Sequence, residues 1–177
     1  MAAMRVYEGS PRQDYEEVLR SIGAFLDQRG MRELALIETA DGFIVQGLAP
    51  HAGEGKPWND PDVRIERELL TFVEEDIARF MDEALARRRA GRPPRSAVPD
   101  DFYEQALRVL GHYIDEQKPR DVLLFEQDHA FVLRLLMATR TGLRHVLAEF
   151  TREEINALVS RAPQMRGRGS RVLAGAG

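Results

Sequence analysis

With 177 residues, the chain can bury one sizeable core, as one domain or as two small halves that share it. It is 44% hydrophobic and 31% charged, which argues against global disorder, and no apolar run reaches the length of a membrane span. Zero cysteines exclude a disulfide scaffold and any thiolate metal site, while the net charge of −4 conceals two basic segments, Ala84–Val98 and Arg161–Gly177, set against a strongly acidic remainder.

The first element in chain order is a helix. Ser10, Pro11 and Gln13 supply a capping box with proline in the first turn. Tyr15, Val18, Leu19, Ile22, Phe25 and Leu26 follow at helical spacing as one apolar stripe, and Gly30 suits a left-handed cap. Next come "ELALIE" and "FIVQGL", two β-rich runs flanking Asp41-Gly42, which predict a hairpin whose turn uses positive φ. Both faces of these strands are apolar, which predicts burial on two sides or at a dimer interface. A third strand follows in "DVRIERELLTF", then a helix from about Glu74 to Arg89. "RRRAGRPPRSAVP" reads as a linker.

The same order then returns. Sliding the chain by 88 positions lays Tyr15–Leu48 over Tyr103–Leu136 without a gap. Identical residues include Tyr15/Tyr103, Glu16/Glu104, Leu19/Leu107, Arg20/Arg108, Gly23/Gly111, Asp27/Asp115, Arg32/Arg120, Leu36/Leu124, Glu38/Glu126 and Phe43/Phe131. The match resumes at an offset of 78 with Leu69/Leu147, Phe72/Phe150, Glu75/Glu153 and Ile77/Ile155. The change of offset places a ten-residue insertion in the first copy, within Ala49–Asp62. In the second copy Pro119 ends the helix, the turn "QDHA" lacks glycine and reads as looser, and Thr151 caps a closing helix that runs to about Arg161.

The expected fold class is therefore α+β. It is an internal duplication of a helix–three-strand–helix unit, with six mainly antiparallel strands in a pseudo-two-fold arrangement. Residues 1–90 form the first unit, 91–98 an Arg/Pro-rich linker, 99–162 the second unit and 163–177 a disordered tail, the two units making one compact body.

Candidate chemistry is sparse. No phosphate-binding glycine loop and no Gly-x-Ser-x-Gly elbow is present, and His51, His112, His129 and His145 stand isolated. No cofactor is expected. The matched Glu38 and Glu126 each end a first strand; a two-fold bringing them together would make a carboxylate pair able to do acid–base work or hold a divalent cation. The plainer reading is that each marks a strand's exit into solvent. Asp27/Asp115 and Arg32/Arg120 are expected to form salt bridges within each copy. Pro61-Asp62 followed by Glu66-x-Glu68 resembles the PD-(D/E)xK nuclease pattern, whose acidic residues bind a metal ion, although Glu68 replaces the final lysine. The insertion is the favoured location for function because it is the long difference between the copies. It supplies His51, Lys56, the only tryptophan (Trp58), Asn59 and Asp60 as candidate ligand- or partner-binding residues.

Three classes of function follow, in order. The first is a non-enzymatic binding or protein-interaction module, with its site at the inter-repeat cleft or the 49–62 insertion and a protein or small ligand as partner. A homodimer follows if the doubly apolar strands are not fully covered. The second is a nucleic-acid-binding protein using the Arg-rich linker and tail, disfavoured by the acidic body. The third is a metal-dependent, nuclease-like enzyme using paired carboxylates. The start, "MAAMRVYEGSPRQDYEE", has no basic-then-apolar leader, so a cytoplasmic protein without membrane attachment is expected.

Overall fold

The computed structural model describes residues 14–40, 42–51, 60–90, 102–128 and 130–161. Its elements are α1 (Tyr15–Arg29), β1 (Arg32–Glu38), β2 (Gly42–Pro50), β3 (Ile65–Val73), α2 (Glu74–Arg89), α3 (Phe102–Gln117), β4 (Asp121–Gln127), β5 (Ala130–Thr139) and β6 (Gly142–Thr151). A further helix, α4, covers 152–161. The strands form one antiparallel sheet in the order β3-β2-β1-β4-β5-β6. The fold is thus α+β, with helix–three-strand–helix running twice.

The junction between the halves is the β1/β4 pair. Leu36 pairs with Leu124, and these are the residues matched by the 88-residue offset. On either side Ala35 pairs with Phe125 and Ile37 with Leu123, two pairs that exchange under the same match. The register therefore has its own two-fold about Leu36/Leu124. Period-two alternation sends Leu34, Leu36, Phe43, Val45, Val122, Leu124, Phe131, Leu133 and Leu135 into the core, where α1 and α3 cover them with Val18, Leu19, Ile22, Leu26, Leu107, Leu110 and Ile114. Ile77 of α2 and Ile155 of α4 complete this layer in matched places.

Several local expectations need correction. The helix α1 begins at Tyr15 with Asp14 as its N-cap residue; Ser10–Gln13, the expected capping box, lies outside the described residues. Asp41 of the expected turn lies outside the described residues, and Gly42 pairs with Val73. Glycine is needed at position 42 because the chain passes so close to the Phe72 carbonyl that any Cβ would overlap it. The second hairpin is tight, since Gln127 pairs directly with Ala130. Asp128 turns the corner at φ 52°, a conformation that Asp tolerates better than most residues. Lys118 (φ 52°) occupies the position matched with the left-handed cap Gly30 (φ 69°). At α4, Thr151 Oγ1 accepts the Glu154 N–H (3.2 Å) while Glu154 returns a carboxylate to the Thr151 N–H (2.8 Å), a reciprocal capping box.

The two halves are locked by an exchange of aspartates. Asp115, at the end of α3, accepts the N–H groups of Tyr15 (2.9 Å) and Glu16 (3.0 Å) at the start of α1. Asp27, near the end of α1, does the same for Tyr103 (3.0 Å) and Glu104 (2.9 Å) at the start of α3. The matched aspartates thus act between the halves, where salt bridges within each half were expected. The reason is physical: a helix start has orphan N–H groups and a positive dipole end, and an antiparallel neighbour's last turn can deliver a carboxylate there. The crossing is close at two glycines. A Cβ on Gly23 would lie 2.4 Å from the Tyr103 carbonyl oxygen, and one on Gly111 2.6 Å from that of Tyr15.

Candidate functional site

The insertion contributes little that can be placed. Lys56, Trp58 and Asn59 lie outside the described residues, as do Asp41, His129, the linker 91–98 and the tail 163–177. His51 Nδ1 lies 3.2 Å from Glu66, which Arg64 also approaches at 3.3 Å. Asp60 folds back locally, its side chain accepting the Asp62 N–H at 2.9 Å. Glu68 takes the Arg29 guanidinium of α1, with Nε at 3.1 Å. Glu66 and Glu68 of the nuclease-like stretch therefore lie against basic side chains, and the Asp60 carboxylate is turned onto the Asp62 backbone. Among the described residues no three His, Asp or Glu side chains gather as a metal site.

Glu38 and Glu126 are not brought together. Each stands two residues beyond the Leu36/Leu124 axis on antiparallel strands, which separates them by about 13 Å along the sheet. Each is held by its own half's tyrosine. The Tyr15 hydroxyl donates to both oxygens of Glu38 (2.9 and 3.0 Å), and the Tyr103 hydroxyl donates to Glu126 at 2.6 Å. Glu126 also accepts the Leu34 N–H (3.3 Å). Arg152 lies 3.7 Å from Glu126 and stacks 4.4 Å above the Phe102 ring. Burial, then the facing carboxylate, pushes both phenols well above the ordinary tyrosine range. Burial also raises the Asp115 carboxyl, and the N–H bonds from Glu16 and Tyr15 pull it back. These pairs weld helix starts to strand ends. A depression lined by Glu33, Glu126, Gln127 and Asp128 lies beside one of them.

The expected cleft between the halves is closed on the helix side, where α1 meets α3 at Gly23 and Gly111. The opposite face of the sheet is different. The helices occupy one side, and the alternate residues of all six strands project from the other. Two rows cross it at the centre. One is Thr71–Ile44–Ile37–Leu123–Arg134–Leu147, and the other is Leu69–Gln46–Ala35–Phe125–Val132–Glu149. Leu48, which pairs with Arg67, and Ile65 two residues before Arg67 extend it at one corner, and Leu136, which pairs with His145, and Leu143 two residues before His145 extend it at the opposite one. The large apolar side chains exposed among the described residues all lie here: Ile37 (46%), Ile65 (43%), Leu69 (66%), Leu143 (59%) and Leu147 (69%). Each apolar residue of the first half has an apolar match in the second: Ala35/Leu123, Ile37/Phe125, Ile44/Val132, Leu48/Leu136, Ile65/Leu143 and Leu69/Leu147.

The apolar character of both strand faces signalled this surface in sequence, but the individual residues were missed. Choosing the covered face requires knowing that both helix layers fall on the same side. No helix of the described residues is long and apolar enough to cross a membrane. Comparison with known proteins finds no matching family model, no matching curated protein and no matching solved structure.

Proposed function

We propose that this protein is a non-catalytic protein-interaction module that docks through the open face of its six-stranded sheet. The observation that carries this reading is the uncovered apolar surface shared by both halves. Contiguous exposed apolar surface beyond a few hundred Å² is uncommon on monomeric proteins and marks interaction sites. The two central rows supply Ile37, Ile44, Leu123, Phe125 and Val132, flanked by Leu69 and Leu147, with few charges between them. A flat sheet of this kind offers shape complementarity to another sheet or an amphipathic helix, and no enclosed volume for a small substrate.

The test uses the lack of cysteine in the chain. Leu123→Cys puts one thiol at the centre of the face, to which a benzophenone is attached. On illumination, in the purified protein and in native cell extract, adducts to an identified protein chain are expected. Adding Leu69→Asp and Leu147→Asp should suppress them. Absence of a protein adduct in both settings, with the probe intact, would contradict the reading.

A further inference from the structure

Resting on that interaction reading, we infer that the occupant of the open face is a second copy of this chain, docked sheet to sheet about a two-fold axis. Three observations lead there. The first is symmetry. A closed homodimer needs a patch complementary to itself. This face carries its own two-fold about Leu36/Leu124, so its apolar pattern repeats when the sheet is turned. The apolar centre of one copy, Ala35, Ile37, Leu123 and Phe125, therefore meets the same four residues of the other.

The second is area. Six strands spaced about 4.8 Å apart, at about 3.3 Å per residue, give a face of roughly 600–900 Å². That matches the ~800 Å² per partner of a stable standard-size interface. Stacked sheets also keep a spacing of about 10 Å, which side chains of Leu, Ile, Val and Phe size fill from both sides.

The third is charge. Arg134 lies in one central row and Glu149 in the other, on adjoining strands. Val132 is the direct partner of Glu149. Rotating a copy about an axis in the sheet plane and across the strands lays one central row over the other. Arg134 of one copy then stands over Val132 of its partner, beside the partner's Glu149. The contact occurs twice per dimer and leaves these two opposite charges matched across the interface.

Analytical ultracentrifugation of the full chain from about 1 to 100 µM tests this, a range that brackets the dissociation constant of a modest dimer. The wild type is expected to sediment at twice the chain mass. Leu69→Asp with Leu147→Asp, both on exposed edge-strand positions, should give a monomer with unchanged far-UV circular dichroism. Arg134→Glu alone and Glu149→Arg alone should each weaken self-association at least tenfold. An equimolar mixture of those two variants should recover the dimer as a heterodimer, because one face is then all acidic and the other all basic at these positions. A wild type that stays monomeric over the whole range overturns the inference. So does a dimer indifferent to the Asp substitutions, or a mixture that fails to recover. A monomer whose benzophenone at position 123 still joins a different protein removes the second copy and leaves the interaction module standing. A monomer without any adduct removes both.

Discussion

At the scale of single residues, the most constrained groups are Tyr15 and Tyr103. Each phenol is nearly inaccessible (4% and 6% exposed) and points its hydroxyl at a carboxylate. Ionising it would bury a second negative charge beside the first, so both pKa values are raised, chiefly by burial. The sign of the pH effect follows. Above about pH 10 the unfolded chain releases these protons and the folded chain keeps them, so stability falls as pH rises. Two such groups give a slope of up to about 2.7 kcal/mol per pH unit. Urea unfolding at pH 8 and near pH 11 should show this loss, and Tyr15→Phe with Tyr103→Phe should abolish most of the slope. A double variant with an unchanged slope would show that other groups govern alkaline stability. Glu38 and Glu126 stood out in the sequence as matched acids, and that much was legible. Their role was not, because the tyrosine that holds each lies 23 residues away.

Among elements, the decisive contact is α1 against α3. Alanine at Gly23 or Gly111 would gain about 1 kcal/mol of helix propensity. It would also place a Cβ 2.4–2.6 Å from a carbonyl oxygen of the opposing helix. The obstacle is backbone, so no side chain can turn aside and the helices must separate. Overpacking of this kind costs about 1–3 kcal/mol and outweighs the propensity gain. Gly23→Ala and Gly111→Ala should therefore each lower the urea midpoint despite being favourable changes for an isolated helix. A rise in midpoint would contradict the packing account. The helices themselves were readable from their apolar stripes, because Val18, Leu19, Ile22 and Leu26 all face the sheet. So were the six strands and the Thr151 cap, since those signals are local. The exchange of Asp27 and Asp115 between halves was not readable, for its partners sit 76 or more positions apart. The tight Asp128 turn carries no glycine to mark it in the sequence, because Asp itself adopts the positive φ there.

For the whole molecule, the two halves spend their likeness in two ways. On the helix side, matched residues close a core: Ile77 with Ile155, Phe43 with Phe131, Leu36 with Leu124. On the other side, equally matched residues leave a broad apolar face open. The insertion, the main difference between the halves, drew attention as the place for function. The surface the halves share is the stronger candidate, and it was hard to locate in advance because strands apolar on both faces do not say which face the helices cover. The central claim is that this face is covered in the working protein by a second copy. Leu147→Cys gives a single thiol at a position 69% exposed in the isolated chain. Its maleimide labelling rate, followed against protein concentration, tests the claim most directly. The account predicts slow labelling at high concentration that accelerates on dilution as the dimer dissociates. A rate equal to that of a free thiol at every concentration would contradict it.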